Sequence, residues 1–256
     1  YKKQFFAAPL GLAYLAAYLR EKGFSVGLID AIAEGSDHIE PLANGIFKCG
    51  LSHENLKARI HQFHPDVIGI SCMFTPRFNN VAEIARMVKD IDSRIKVVVG
   101  GIHVSACPEE SLKERAIDFV VLGEGEIPFY NLLKKLDSRQ TDFSDICGIA
   151  FCSNGKAIIN PKQDFIDDLD MLPLPARDLL PMEKYFKINS GRDSLTRERH
   201  QTSMITSRGC PYNCTFCSAI TFWGRNWRKR SAENVLIEIE SLLRVYKIKE
   251  ISFEDD

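Results

Sequence analysis

Val67-Ile68-Gly69-Ile70-Ser71, a helical pattern over Val81 to Ile91, and Val97-Val98-Val99 running into Gly100-Gly101 read as strand, helix and strand in immediate succession. Val81, Ile84, Ala85 and Val88 recur at the spacing of one helix face. Short apolar strands joined through helices specify a parallel sheet with helical crossovers. The pattern extends both ways. Upstream, Leu12, Leu15, Ala16 and Leu19 mark a helix stopping at Gly23, Ser25 to Ile29 reads as a strand ending at Asp30, and Glu54 to Phe63 as a helix. Downstream come a short helix over Glu109 to Arg115, the strand Phe119-Val120-Val121-Leu122, the loop Gly123-Glu124-Gly125-Glu126 and a helix over Ile127 to Leu136. The expectation over residues 1–140 is a doubly wound α/β domain, Rossmann-like with flavodoxin-like topology, showing four strands where such folds usually have about five.

Ile146 to Phe151 and Ala157 to Asn160 flank an Asn154-Gly155 turn, a hairpin signal. Pro173, Pro175 and Pro181 lie among acidic residues from Asp164 onward, which reads as an extended linker, so residues 141–200 separate the first domain from a second. That second α/β unit occupies 201–256, with a strand over Ser203 to Thr206, a helix from Ala232 to Tyr246 and a strand over Glu250 to Phe253.

The chain has 256 residues, 45% of them hydrophobic, enough for substantial cores. A formal charge of -1 gives no global reason to expect nucleic acid or an anionic membrane as a partner. No apolar run is long enough to span a bilayer and the start lacks a secretory signal, so a cytoplasmic location is expected. Cys49, Cys72, Cys107, Cys147 and Cys152 are scattered, which does not suggest a disulfide framework.

The other three cysteines are concentrated in Arg208-Gly209-Cys210-Pro211-Tyr212-Asn213-Cys214-Thr215-Phe216-Cys217, spaced C-x3-C-x2-C. An iron-sulfur cluster normally takes four thiolates, so three on one loop suggest a cluster iron reserved for a small molecule. Structural zinc is the competing reading; it needs a fourth ligand, which His200 or a distant cysteine could supply.

This loop, following a strand and carrying Phe216 before its last cysteine, resembles the radical S-adenosylmethionine (radical SAM) enzymes. The resemblance implies a 4Fe-4S cluster on Cys210, Cys214 and Cys217, with S-adenosylmethionine on the fourth iron. It places Phe216 near the adenine and Asp255 and Asp256, at the end of the last strand, near the methionyl amine. It also implies that residues 201–256 begin a partial (β/α)6 TIM-like barrel, truncated here, so the isolated fragment is expected to be inactive. Ser231 reads as a helix cap, and Arg225, Arg228, Lys229 and Arg230 form a basic cluster open either to an acidic substrate or to solvent.

The first domain resembles the cobalamin (B12)-binding domain that precedes the radical domain in one branch of that family. The matches are Pro9 to Leu19, Ser71-Cys72-Met73, Gly100-Gly101 and Gly123-Glu124-Gly125-Glu126. The resemblance assigns Ser71, Met73, Gly100, Gly101, Gly123 and Glu124 to the corrinoid, with glycines making room for its nucleotide tail. No Asp-x-His-x-x-Gly loop is present, so a histidine ligand to cobalt is not expected, and His103 reads as a solvent-facing loop residue.

The resulting expectation is a cobalamin-dependent radical SAM enzyme performing methyl transfer to an unactivated centre or oxidative cyclisation. Its partners would be a small-molecule substrate and a one-electron reductant such as flavodoxin or ferredoxin. The alternative is a corrinoid- or metal-binding module without radical catalysis.

Overall fold

The computed structural model describes residues 7–41, 47–163, 165–188 and 197–255. These form two compact units: a first unit from residues within 7–59, 168–207 and 229–255, and a sheet unit from residues within 60–167 and 208–228.

The first unit opens with α1 (Leu10–Glu21), α2 (Ala31–Glu34), the antiparallel strands β1 (Ile39–Pro41) and β2 (Phe47–Cys49), and α3 (His53–Phe63), which carries the chain into the sheet unit. Asp30 caps α2 by accepting the amides of Ile32 and Ala33. The expected strand Ser25 to Ile29 joins no sheet among the described residues. Val26 and Leu28 pack on Ala16, Ala17 and Ala176, so the apolar alternation is satisfied by side-chain contact without a ladder.

In the sheet unit, β3 (Val67–Ser71), β4 (Lys96–Gly100) and β5 (Phe119–Val121) run parallel, with α4 (Phe78–Ile91) between the first two. Val97, Val98, Val99 and Val120 are almost wholly buried, as a sheet covered on both faces requires. α4 turns Val81, Ala85 and Val88 inward, as their spacing predicts. After β4 come the short α5 (Ile102–Ala106) and α6 (Pro108–Ser111), and after β5 the longer α7 (Glu126–Asp137), whose Phe129 ring lies 3.5 Å from where a Cβ on Gly69 would stand. β6 (Ile149–Ser153) and β7 (Lys156–Asn160) form the expected hairpin, but they extend this sheet antiparallel to β5. The five-stranded order is thus β3-β4-β5-β6-β7, completed from downstream sequence. The stretch expected as a linker carries 3-10 turns at Leu169–Met171 and Arg177–Leu179, with Leu169, Ala176 and Arg177 buried.

The chain continues through α8 (Met182–Ile188), β8 (Gln201–Met204), β9 (Ser207–Arg208), α9 (Ala219–Trp223), β10 (Arg228–Lys229), α10 (Ala232–Val245) and β11 (Glu250–Phe253). β8 and β11 pair in parallel across α10, Gln201 opposite Glu250 and Met204 opposite Phe253. This is the expected strand-helix-strand unit. In the first unit's core, Ala13, Ala33, Leu180, Met182, Tyr185, Phe186, Leu242 and Ile248 pack together.

Candidate cofactor site

The cysteine loop sits in the sheet unit and is closed at its base by backbone contacts. Gly209 has φ +91°, and a Cβ there would lie 2.1 Å from the Asn226 carbonyl oxygen, so only glycine lets the two ends approach. The Cys210 amide donates to the Gly224 carbonyl at 3.3 Å and the Cys217 amide to the Cys214 carbonyl at 3.2 Å. Arg225 reaches back to the Asn213 side chain at 2.6 Å, and the Ala219 amide lies 3.4 Å from Cys217 Sγ. All three cysteines are unbridged; Cys214 and Cys217 are exposed and Cys210 half-buried. Among the described residues no three His, Cys, Asp or Glu side chains are gathered around a single ion. A cubane instead distributes its thiolates over different irons, and three thiols on one loop match three of its four corners.

Below the loop lies a buried charge cluster that sequence reading did not identify. Arg208 Nη1 donates to Glu124 Oε1 at 3.3 Å and Nη2 to Glu126 Oε1 at 2.8 Å. Arg228 Nη1 stands 3.0 Å from Glu124 Oε2 and 2.8 Å from Oε1. The Ile166 amide donates to Glu124 Oε2 at 3.1 Å, and Arg228 also donates to the carbonyls of Ile166 and Trp223. Burial pushes the Glu126 carboxyl up, but the charge and hydrogen bond of Arg208, with smaller help from a backbone donor and Lys162, outweigh it and hold the group below the usual carboxylate range. The available signal was two acidic residues in a loop of small residues and two arginines bracketing the cysteines, four charges with no amphipathic face to occupy.

The candidate shelf is the carboxyl end of the parallel strands, where the register sets Ser71 opposite Gly100 and Gly100 opposite Val121. The Cys72 amide donates to the Gly100 carbonyl, and the His103 amide to the Cys72 carbonyl, tying the two loops together. Cys72 is buried, which pushes its thiol pKa up, while Ser71, Met73 and Phe74 are exposed. A Cβ on Gly100 would meet nothing nearer than 3.8 Å, so internal packing does not require glycine there and its bare surface is free for a ligand. That observation fits a cofactor needing room at a strand end. Gly123, with φ +63°, places the site of a Cβ 2.9 Å from the Phe222 carbonyl oxygen and is needed by the fold itself. His103 is buried, 3.1 Å from Thr75 Oγ1 and packed against Phe78, and does not face solvent as expected.

Phe216 projects into solvent, 90% exposed. In the first unit, Asp255 follows β11 and accepts the amides of Thr206 and Ser207, each at 2.7 Å, and the Thr206 hydroxyl at 2.6 Å. Asp256 lies outside the described residues. The expected basic cluster is dispersed: Arg225 pairs with Asn213, Arg228 with Glu124, and Arg230 is buried against Glu238, Tyr14 and the Ile205 carbonyl. The two buried guanidiniums are therefore structural and unavailable to an acidic substrate.

A family model described as the B12 binding domain matches residues 4–133. An uncharacterized methyltransferase of Pyrococcus horikoshii is 37% identical over 97% of this chain and 48% of its own length. The cytidylyl-2-hydroxyethylphosphonate methyltransferase of Streptomyces wedmorensis is 32% identical over 97% of this chain and 51% of its own. The chain thus spans about half the length of these curated relatives. The fold is shared with the cobalamin-dependent S-adenosylmethionine radical enzyme OxsB, solved with aqua-cobalamin and S-adenosylmethionine bound, at a TM-score of 0.76 and 23% identity over 98% of this chain and 32% of that one. Together with the C-x3-C-x2-C loop, these likenesses identify the chain as a member of the B12-binding-domain-containing radical S-adenosylmethionine enzyme family.

Proposed function

We propose that the protein is a cobalamin-dependent radical SAM enzyme that transfers a methyl group to a small molecule. The observation that supports this most is the pairing, within one compact unit, of three unbridged cysteines on one loop with a parallel-strand shelf left bare at Gly100. Cys210, Cys214 and Cys217 would hold a 4Fe-4S cluster as thiolates. When bound, the cluster and S-adenosylmethionine supply one-electron cleavage of a carbon-sulfur bond, and cobalamin supplies a transferable methyl group.

The chain's own residues would bind and orient. Phe216 offers an open aromatic face for the adenine. Asp255 and Asp256 carry negative charge suited to the methionyl ammonium, with Asp255 fixed in place by its bonds to Thr206 and Ser207. Ser71, Met73, Gly100, Gly101 and Gly123 are the proposed corrinoid contacts. A flavodoxin- or ferredoxin-type reductant would supply the electron, and eight unbridged cysteines suit a reducing cytoplasm. Among the described residues no helix is long and apolar enough to cross a membrane. Methyl transfer is preferred over ring closure because the Pyrococcus and Streptomyces relatives both carry methyltransferase names.

The test is anaerobic reconstitution of the full-length protein, followed by iron and sulfide quantitation, aquacobalamin titration and incubation with methyl-labelled S-adenosylmethionine. The expected result is about four irons with about four sulfides, bound corrinoid, and label transferred to product. Zinc without sulfide would instead establish a metal- or corrinoid-binding module, and an unlabelled product lacking two hydrogens would establish cyclisation.

A further inference from the structure

We propose that Glu124 and Glu126 position the cysteine loop, acting through Arg208 and Arg228, and that neither carboxylate is a cobalamin contact. The inference rests on the cluster and corrinoid reading above and assigns Glu124 a different task within it.

A carboxylate has about four acceptor sites, and Glu124 uses both oxygens twice. Oε1 faces Arg208 and Arg228, and Oε2 faces Arg228 and the Ile166 amide. Its side chain is fully buried, so nothing remains for a corrin amide. Glu124 belongs to the loop after β5 and Glu126 opens α7, whereas Arg208 directly precedes Gly209-Cys210 and Arg228 lies where the chain leaves the cysteine region. One carboxylate therefore bridges both ends of the cysteine loop, and Glu126 adds a second grip on Arg208.

The guanidiniums are also held by rings: Arg208 stacks 5.1 Å from the Trp223 ring centre and Arg228 5.2 Å from that of Phe165. Gly123, whose amide donates to Ser105 Oγ at 2.9 Å, presses on the Phe222 carbonyl of α9, the helix starting two residues after Cys217. The loop after β5 is thus the bed on which the cysteine loop lies. Removing the Glu124 carboxylate takes the counterion from Arg228 and one of the carboxylates from Arg208, and a buried guanidinium stripped of its partner is costly to keep in place. The segments that carry these guanidiniums are the two ends of the cysteine loop.

The test uses the full-length protein, with Glu124→Gln and Glu126→Gln, each matching the shape of the native residue while removing its charge. Four quantities are read: far-UV circular dichroism, iron and sulfide after reconstitution and challenge with a chelator, the paramagnetic resonance spectrum of the reduced cluster with and without S-adenosylmethionine, and aquacobalamin affinity. In Glu124→Gln, cluster retention is expected to fall about tenfold, the scale of losses when groups supporting metal ligands are removed. Its resonance spectrum should shift while aquacobalamin affinity stays at the native value. Glu126→Gln should show the same signs more weakly. Lys113→Ala, which breaks the exposed Lys113–Glu110 pair, is the control and should change nothing.

Lost aquacobalamin affinity with a native cluster spectrum would overturn the proposal by making Glu124 a corrinoid contact. Native behaviour of both variants, or equal loss of cluster and corrinoid in a folded variant, would overturn it as well. If Glu124→Gln does not fold, Glu126→Gln decides by the same readouts, because it leaves the Glu124 bridge in place. A native protein binding neither iron-sulfide nor cobalamin would sink the functional reading and this proposal together, whereas native binding with unaffected variants sinks this one alone.

Discussion

Gly100 and Gly101 are neighbours that are glycine for different reasons. Gly101 has φ +117°, and a Cβ there would lie 2.6 Å from the Cys72 carbonyl oxygen, so the chain itself forbids a side chain. Gly100 sits at the end of β4 with room for a methyl group. Gly101→Ala should therefore cost about 1–3 kcal/mol through strain and collision, measured by urea unfolding. Gly100→Ala should leave stability within about 1 kcal/mol of native, since glycine in a strand is no better than alanine. Its effect should appear as weaker aquacobalamin binding in the full-length protein. Equal unfolding costs for the two variants, with native corrinoid affinity in both, would show that neither glycine makes space for a ligand.

At the scale of elements, α10 shows how local signals placed a helix correctly. Ser231 Oγ accepts the Asn234 amide at 3.1 Å, the capping geometry its position predicts, while the Ser231 amide donates to Asp170. Ser231→Ala should lower stability by about 1 kcal/mol in thermal or urea melts; no change would mean that Asp170 alone fixes this end. Most helices and strands between Glu54 and Leu136 were legible for the same reason, since their periodicity is a local property, but α5 gave no such signal and the helix expected over Glu109 to Arg115 is the shorter Pro108–Ser111. Ser25 to Ile29 and the hairpin were not placed correctly in the sheet. Alternation reports which side chains are buried, and Val26 and Leu28 are partly buried, but it does not report whether a neighbouring strand is available to complete a ladder.

At the scale of the whole molecule, each compact unit buries guanidinium and carboxylate groups from distant parts of the sequence. In the first unit Glu238 of α10 binds Arg177 at 2.8 Å and also Arg230, while Arg177 donates to Thr202 Oγ1 and the Ser203 carbonyl. Arg177 and Glu238 have side chains 3% and 2% exposed. Glu238→Ala would leave two buried guanidiniums without their carboxylate, and the first unit should lose about 3–5 kcal/mol. Urea unfolding, followed by a probe within that unit, checks this, and a loss below about 1 kcal/mol would show that water had replaced the carboxylate.

Sequence by itself determined the α/β class, the cysteine loop with its family resemblance, the absence of a disulfide pattern and the strand-end positions of Ser71 and Gly100. Each follows from spacing along the chain, which covalent geometry and helix or strand period translate directly into position. Only the tertiary structure decided that the hairpin completes the sheet, that His103 is buried, that Arg228 and Arg230 serve ion pairs, and that Glu124 holds the base of the cysteine loop. Those outcomes depend on partners remote in sequence: Glu124 meets Arg228 across 104 positions, and Arg230 meets Tyr14 across 216. A charged residue looks the same in sequence whether it faces water or a buried partner; desolvation makes the difference, and desolvation exists only once the chain has folded.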